Sequence, residues 1–256
     1  MRDLHVHTLF SSDSRAGMAS HVQRALALGL ETVCFTDHVD FNPVDEGYLF
    51  YRPDDYFAAL DAQRKAHGDR VELLAGMEFG ETHLYRRELD ALLRRPYDFV
   101  IASVHWVDDL FPSIAVRQGV PVAEYSARYW QVTLDMARVG GFDALGHMDF
   151  PKRYYGEMAY DEKKIDEIFA ALLERDAVIE INTSSLRKGL SETMPGPALL
   201  QRYREAGGRY VTVGTDAHTP EDLNADYATA AAMIRRFGLT EVKYVERKRV
   251  PVQTAI

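Results

Sequence analysis

The stretch RDLHVHTLFSSDS, residues 2–14, begins with a short apolar segment that carries two histidines one residue apart, His5 and His7. Residues i and i+2 of a β-strand point to the same face of the sheet. The two imidazoles therefore leave this predicted strand side by side. Two imidazoles on one face can bind the same group, and the rest of the chain indicates what that group is.

Short β-rich segments alternate with amphipathic helical segments along the chain. The seven strand candidates are RDLHV (2–6), ETVCFTDH (31–38), VELLAGMEF (71–79), DFVIASVHW (98–106), FDALGHMDF (142–150), AVIEINTS (177–184) and RYVTVGTDAH (209–218). Helical candidates between them include residues 19–30, 85–95, 122–140 and 165–176. Seven successive β-then-α units predict a parallel sheet with helical crossovers, and strands that are apolar on both faces fit a barrel interior or a sheet covered on both sides. We expect one domain over residues 1–256, because α/β barrels of about 200–250 residues commonly stay undivided.

Side chains that bind metals are concentrated at the predicted C-terminal ends of these strands. They are His5, His7, Asp37, His38, Glu78, His105, His147, Asp149, Asn182, Asp216 and His218, and they include six of the nine histidines. The C-terminal ends of the strands form the active face of an α/β barrel. Without cations, acidic groups gathered there would repel each other and lose solvation. The pattern therefore predicts a metal centre.

The chemistry of the side chains restricts the metal. Imidazole and carboxylate ligands without thiolate favour zinc, iron, manganese or cobalt. Eight of these side chains are ligand candidates, and Asp13 in the loop SSDS (11–14) is a ninth. One ion cannot use so many ligands, so we expect two or three divalent ions bridged by a carboxylate.

Composition excludes several classes of function. The formal net charge of −9 argues against a nucleic-acid partner, whose binding faces are basic. A small phosphorylated substrate stays compatible, because bound divalent metals reverse the local field. Cys34 is the only cysteine, which excludes an internal disulfide and favours the cytoplasm. No signal peptide or long apolar span is evident, so we expect no membrane partner, and the oligomeric state stays open.

Six segments, in order, resemble the PHP (polymerase and histidinol phosphatase) family. They are DLHVHT, FTDH, GMEFG, SVHW, GHMDF and GTDAHT, and they extend from residue 3 to about residue 220. The resemblance implies a distorted (β/α)7 TIM-like barrel with a trinuclear metal cluster at the C-terminal ends of the strands.

The resemblance also implies three groups of ligands, of which the first two share Glu78 as a bridge. The first is His5, His7, Glu78 and Asp216, the second is Glu78, His105 and His147, and the third is Asp13, His38 and His218. Many family members have a histidine at the position of Asp13. The alternative for Asp13 is a turn-forming residue in a serine-rich loop.

Within the family, GHMDFPKRYYG (146–156) and IEINTSSLRKG (179–189) resemble the histidinol-phosphate phosphatases. The implied reaction is hydrolysis of L-histidinol phosphate to L-histidinol and phosphate, a step of histidine biosynthesis, with a metal-bound hydroxide as the nucleophile. Another small phosphorylated metabolite is the nearest alternative. An amidohydrolase-type metal hydrolase is disfavoured because IASVHWVDD (101–109) contains His105 but no lysine. A non-catalytic metal-binding module is disfavoured because every predicted ligand is present.

Other polar residues near the strand ends are candidates for catalysis and substrate binding. Asp37 and Asp149 adjoin predicted ligands and could hold an imidazole N–H, bind metal or move a proton. The candidates for substrate contacts are Lys152, Arg153, Arg187 and His83. Arg187 is the first choice for phosphate, because a planar guanidinium matches two phosphate oxygens at once.

Overall fold

An α/β fold built on one ten-stranded sheet accounts for the alternating sequence pattern, and the computed structural model describes residues 1–254. The strands are β1 (Arg2–Val6), β2 (Thr32–Phe35), β3 (His38–Val39), β4 (Glu72–Gly80), β5 (Phe99–Ser103), β6 (Ala144–Leu145), β7 (Val178–Asn182), β8 (Tyr210–Gly214), β9 (Thr240–Val245) and β10 (Lys248–Pro251). Their order is β1-β2-β4-β5-β6-β7-β8-β9-β10, with β3 beside β4. Every neighbouring pair is parallel except the hairpin of β9 and β10.

Helices connect the parallel strands, as the sequence predicts. They are α1 (Met18–Leu28), α2 (Pro53–His67), α3 (Arg86–Leu92), α4 (Pro112–Arg117), α5 (Val122–Val139), α6 (Lys152–Tyr155), α7 (Glu162–Glu174), α8 (Ser184–Arg187), α9 (Pro197–Glu205) and α10 (Tyr227–Phe237), with a 3-10 turn at Pro220–Asp222. The four helical predictions named above are confirmed as α1, α3, α5 and α7. Helix α7 begins earlier than predicted because the Asp161 carboxylate accepts the Lys164 N–H and caps the helix. Within residues 1–254, no helix combines the length and the apolar character needed to cross a bilayer.

The core lies on both faces of the sheet, because successive residues of a strand point in opposite directions. In β2, Val33 and Phe35 join the large cluster that includes residues of the helices, whereas Cys34 joins a second cluster with Leu4 and Phe99. All residues of β2 and β5 are buried, which confirms the expectation of strands that are apolar on both faces. Cys34 is a free, buried thiol.

The strands differ from the sequence prediction in three places. The second predicted strand is divided into β2 and β3, and the fifth shrinks to Ala144–Leu145. At Gly146, which follows β6, a Cβ atom would lie 2.7 Å from side-chain atoms of Ile101 and Ser103, so only glycine permits this close approach to β5. The hairpin of β9 and β10 was not predicted. Its turn places Glu246 and Arg247 at φ of 49° and 62°, and it lacks the glycine or asparagine that usually marks such turns.

The segment after β8 lies against β1 and so brings the first and last sequence motifs together. The His7 N–H donates to the carbonyl of Ala217 at 2.8 Å, and the Ala217 N–H donates to the carbonyl of His5 at 3.2 Å. The buried carboxylate of Asp3 accepts the N–H of Thr215 at 3.0 Å. Strand β9 pairs instead with the start of β8, at Tyr210 and Val211.

Candidate metal centre

The nine side chains predicted as ligands lie together where the strands end. His5, His38 and Glu78 belong to β1, β3 and β4, His7, His105 and His147 follow β1, β5 and β6, Asp216 and His218 follow β8, and Asp13 lies in the loop after β1. Asp216 has a φ of 55°, a left-handed conformation that is often found at functional sites. Residues separated by up to about 210 positions in the chain therefore share one small region.

Glu78 is at the centre of this group, and its two oxygens face different histidines. Oε2 lies 3.3 Å from Nε2 of His5 and 3.5 Å from Nε2 of His7. Oε1 lies 3.4 Å from Nε2 of His105 and 2.8 Å from Nε2 of His147. A carboxylate in this arrangement can bridge two ions.

Asp216 completes the surroundings of the first histidine pair. Its Oδ1 lies 3.3 Å from Nε2 of His7 and 3.9 Å from Nε2 of His5. Four ligand atoms, from His5, His7, Glu78 and Asp216, therefore face one another, and these are the four residues that the sequence resemblance assigns to one ion.

Asp13 lies beside the two histidines with which the resemblance groups it. Its Oδ2 is 2.9 Å from Nε2 of His218 and 3.6 Å from Nε2 of His38. The ring of His38 also reaches the central carboxylate, with Nδ1 3.0 Å from Oε2 of Glu78. Asp13 is the most exposed member, with 52% of its side-chain surface accessible, so this group lies nearest to solvent.

Unpaired buried atoms show that these residues fit a metal. Nε2 of His5, Nε2 of His7, Nδ1 of His38 and Oε2 of Glu78 are buried and accept or donate no hydrogen bond among the described residues. Each such atom costs about 1–3 kcal/mol when it is left unsatisfied. Four overlapping triads in this region have ligand atoms within 4.8 Å of one another. Imidazole and carboxylate donors of this kind suit zinc, iron or manganese.

The electrostatic environment favours the metal-binding forms of Glu78 and His7. Burial alone would raise the pKa of Glu78, but His5, His38 and His105 hold that pKa well below its usual value. Burial and the neighbouring rings of His218 and His38 hold the pKa of His7 well below the ordinary value for histidine. An ionised carboxylate and a neutral imidazole are the forms that coordinate a cation. For His5, His38 and His105, burial lowers the pKa but neighbouring carboxylates outweigh it and raise the pKa above the ordinary value, so a bound cation would have to displace a proton there.

Glu180, which the sequence analysis did not select, links two of the ligand groups. It lies in β7, where its Oε1 accepts Nδ1–H of His5 at 2.7 Å. Its Oε2 accepts the backbone N–H of His147 at 2.9 Å and Nδ2–H of Asn182 at 3.1 Å. The bond to Nδ1 leaves Nε2 of His5 as the free nitrogen that faces Glu78. The one available signal was a buried-type strand, VIEIN, interrupted by a single charge.

Asp37 and Asp149 lie near the ligands but contact none of their ring nitrogens. Asp37 accepts the Ser11 hydroxyl at 2.8 Å, and that hydroxyl lies 3.1 Å from Nδ1 of His7. Burial raises the pKa of Asp37 to about 6. Asp149 is buried against Nζ of Lys152, at 2.7 Å. The influence of Asp37 on a ligand therefore passes through Ser11.

Arg153 and Lys152 have different environments although they are adjacent in sequence. Arg153 lines the cavity above the ligands, where NH2 lies 2.7 Å from Oδ2 of Asp216. Lys152 is buried, and its Nζ donates to the carbonyl of Thr193 at 2.8 Å in addition to its pairing with Asp149. The ammonium group of Lys152 is thus used within the protein, which argues against the phosphate contact expected from the sequence.

Arg187 and His83 also lie away from the cavity. Nε of Arg187 pairs with Asp222 at 3.1 Å, and its NH2 donates to the carbonyl of Thr215 at 2.6 Å. This guanidinium stabilises the loop after β8. The sequence had suggested that it faces the cavity and contacts phosphate, and the structure does not place it there. Burial lowers the pKa of His83, and the charge that acts on its ring is Asp135 of α5. Neither residue is part of the cavity wall in the described chain.

The cavity over the ligands has a volume of about 440 Å³, which is enough for a small metabolite. Besides the ligands, two serines and two aliphatic residues, its wall has three kinds of side chain. They are the aromatic residues Trp106, Phe111, Phe150 and Tyr154, the acidic residues Asp40, Asp45 and Glu46, and the basic residues Arg117 and Arg153. The cavity therefore offers both positive and negative groups to one bound molecule.

Comparison with known proteins agrees with this geometry. A family model described as the PHP domain matches residues 3–184. The chain belongs to the PHP domain family. The histidinol-phosphatase of Lactococcus lactis subsp. lactis is 29% identical to this PHP chain over 254 residues, 94% of this chain and 92% of the relative. A probable histidinol-phosphatase of Clostridium acetobutylicum is also 29% identical, over 96% of this chain and 97% of the relative.

A solved structure resembles the whole PHP chain. The crystal structure of histidinol phosphate phosphatase from Lactococcus lactis, complexed with zinc, L-histidinol and phosphate, matches with a TM-score of 0.86 and 27% identity. The match covers 97% of this chain and 98% of that structure. The family resemblance inferred from the sequence motifs is thus confirmed.

Proposed function

We propose that this protein is a metal-dependent phosphomonoester hydrolase that converts L-histidinol phosphate and water to L-histidinol and phosphate in histidine biosynthesis. The observation that carries this proposal is the carboxylate of Glu78, whose two oxygens face five histidines beneath a cavity of metabolite size. Similarity over nearly the full length to histidinol-phosphatases supports the choice of substrate.

We propose that two or three divalent ions of zinc, iron or manganese are held by the three ligand groups described above. When bound, such ions supply positive charge that lowers the pKa of water toward neutral pH and that neutralises phosphoryl oxygens. The unpaired nitrogens of His5 and His7 support this assignment, and the zinc named for the Lactococcus structure supports the choice of metal.

The remaining residues of the cavity bind and orient the substrate. Arg153 offers its guanidinium to phosphoryl oxygens from a position fixed by Asp216 and by the ring of Phe150, 5.0 Å away. Trp106 and Phe111 pack edge to face at 5.3 Å and form an apolar wall that excludes water and can contact an imidazole ring. Asp37 holds His7 through Ser11, so that Nε2 of His7 points toward the carboxylates.

We further propose that residues 1–254 form a single domain with the distorted (β/α)7 TIM-like barrel implied by the resemblance; the last two residues of the expected domain lie outside the described part of the chain. The hydrogen bonds between His5, His7 and Ala217 support an approach of the first strand to the end of the eighth. A biosynthetic role and a single cysteine support the cytoplasm as the compartment.

Steady-state release of phosphate from a panel of substrates tests the proposed function. The metal-reconstituted protein is assayed with L-histidinol phosphate, phosphoserine, glycerol 3-phosphate and p-nitrophenyl phosphate. We expect kcat/KM to be highest for L-histidinol phosphate by at least about 100-fold, since a site that pairs buried polar groups with a substrate rejects analogues that lack them. A higher value for another substrate would assign the enzyme to that metabolite, and no release from any of them would overturn the proposal.

A further inference from the structure

A buried carboxylate directly after β4 holds the segment that follows β5. The residue is Glu81, with 2% of its surface exposed. Its Oε1 accepts the backbone N–H of His105 at 2.7 Å and the backbone N–H of Trp106 at 3.0 Å. Its own N–H donates to the carbonyl of Ser103 at 3.0 Å. Three hydrogen bonds therefore join this one residue to residues 103–106.

The two residues that the carboxylate of Glu81 holds have different places in the site. His105 is a proposed metal ligand, whose Nε2 lies 3.4 Å from Oε1 of Glu78. Trp106 lines the cavity, where its ring packs against Phe111 at 5.3 Å. Because the two residues are adjacent and share one acceptor oxygen, loss of that oxygen disturbs a ligand and the cavity wall together.

The backbone of Glu81 has an unfavourable conformation, and the same contacts hold it in place. Its φ of 45° lies in the left-handed region, which residues other than glycine seldom adopt. Such conformations persist where the surroundings fix them, and they are concentrated at functional sites. Both donors to the side chain are backbone N–H groups, so the contact requires an acceptor oxygen and does not require a negative charge.

We propose that Glu81 is a positioning residue that fixes His105 and Trp106 together, and so couples the geometry of the metal centre to the wall of the cavity. Trp106 has a second anchor, because its ring N–H donates to Oδ2 of Asp45 at 2.5 Å. That bond holds the ring of Trp106 but not the backbone of His105, so the ligand depends on Glu81 more strongly than the wall does. This inference rests on the proposed function, since it assigns a role behind the same site.

The test compares two substitutions that differ in whether an acceptor remains. Glu81→Leu keeps approximately the volume of the side chain and removes both oxygens. Glu81→Gln keeps one carbonyl oxygen, which can accept both N–H groups through its two lone pairs. Glu174→Leu is the matched control, because Glu174 is exposed at the end of α7. Circular dichroism of the metal-free proteins checks that the fold is retained.

Two readouts report the two anchored residues separately, and neither requires turnover. Zinc titration in competition with a chromophoric chelator reports the ligand group that contains His105. Acrylamide quenching of tryptophan fluorescence reports Trp106, because the second tryptophan of the chain, Trp130, is fully buried. Trp106→Phe confirms which tryptophan gives the quenched emission.

We expect Glu81→Leu to bind the zinc held by His105 about 10–100-fold more weakly than the wild type, the usual effect of losing a partner that orients a ligand. The quenching constant of Trp106 should rise in the same variant. Glu81→Gln should bind zinc within about threefold of the wild-type affinity and keep the wild-type quenching constant, because its amide oxygen restores both bonds. Glu174→Leu should match the wild type in both readouts.

Two results would overturn the positioning role. In the first, Glu81→Leu binds zinc and is quenched as the wild type is. In the second, Glu81→Gln retains the fold but loses zinc affinity as Glu81→Leu does, which would mean that the carboxylate acts by its charge. If Glu81→Leu does not fold, Glu81→Asp takes its place, since its carboxylate is one methylene too short to reach both N–H groups, and wild-type behaviour there would equally overturn the role. A wild-type protein that binds zinc but releases no phosphate would overturn the proposed function while both readouts still decide the role of Glu81, so the two failures are distinguishable.

Discussion

Replacing Glu180 with glutamine changes a side chain outside the ligand set that connects two ligand groups. The carboxylate receives Nδ1–H of His5 on one oxygen and the N–H of His147 on the other. Glutamine keeps the volume but exchanges one oxygen for an NH2 group, which is a donor and cannot accept either bond. One of the two ligands must therefore lose its anchor in Glu180→Gln, whichever way the amide is oriented.

The expected size of the effect follows from these contacts. A hydrogen bond to a charged group is worth about 1.5–3 kcal/mol, and loss of a partner that orients a ligand usually weakens metal binding by about 10–100-fold. The two figures agree, because about 1.4 kcal/mol corresponds to a tenfold change in a dissociation constant. We expect the dissociation constant of the most tightly bound ion to rise by about 10–100-fold in Glu180→Gln.

The assay is a zinc titration of metal-free protein in competition with a chromophoric chelator. Glu205→Gln, an exposed substitution in α9, serves as the control for removal of a carboxylate far from the site. Circular dichroism of the metal-free proteins checks that the fold is retained. If Glu180→Gln binds zinc within threefold of the wild-type affinity, Glu180 does not orient the ligands and the reasoning is refuted.

Three further predictions concern a ligand, a buried acid and the thiol. His105→Ala should lower kcat for L-histidinol phosphate by ~100-fold or more, because a lost ligand forfeits several kcal/mol of charge stabilisation, while circular dichroism stays unchanged; wild-type turnover would contradict the ligand assignment. Burial raises the pKa of Asp143 to about 6, although Arg247 beside it acts in the opposite direction, and the unfolded value is about 3.9. The folded state therefore binds the proton more tightly, so this contribution to stability is complete below about pH 4 and is lost as the pH rises through about 6. In urea unfolding of the metal-free proteins, the free energy of unfolding of wild type minus that of Asp143→Asn should fall by roughly 2–3 kcal/mol between pH 4 and pH 7, and a constant difference would contradict the shift. Burial raises the pKa of the Cys34 thiol well above its usual value. At pH 8 the native protein should therefore react with a thiol reagent at least ~100-fold more slowly than the denatured protein. Equal rates would show that the thiol is accessible.

The ligands could be predicted because strand periodicity and strand ends locate them independently of tertiary detail. His5 and His7 share a face because side chains alternate along a strand. Glu78 lies in a long apolar strand, where a buried charge is costly unless it is paired or binds a metal. Parallel strands place their C-terminal ends on the same side, so the sequence alone indicates that these residues meet.

The remaining features depend on contacts that the sequence does not encode locally. Glu180 is recognisable only once His5 and His147 are placed around it. For Arg187, sequence position gave the correct edge of the sheet, but a long side chain can turn toward either the cavity or a loop. It pairs with Asp222, which no pattern along the chain reveals.

The C-terminal hairpin was missed for a different reason. Its turn at Glu246 and Arg247 adopts positive φ with residues that rarely do so, and the turn is fixed by tertiary contacts. The Arg247 N–H donates to the carbonyl of Asp98 at 2.9 Å, and the Glu246 N–H donates to the carboxylate of Asp98 at 3.0 Å. The contacts with Asp98 therefore fix this turn, and the local sequence contains no signal for it.

The most direct measurement is phosphate release from L-histidinol phosphate during titration of metal-free protein with zinc or manganese. Bound metal is counted by elemental analysis at each point. We predict no turnover without metal, turnover that rises with added ion, and saturation at two or three ions per chain. Full turnover by the metal-free protein, or a protein that binds no divalent ion and remains inactive, would contradict the assignment of these histidines and carboxylates to a catalytic metal centre.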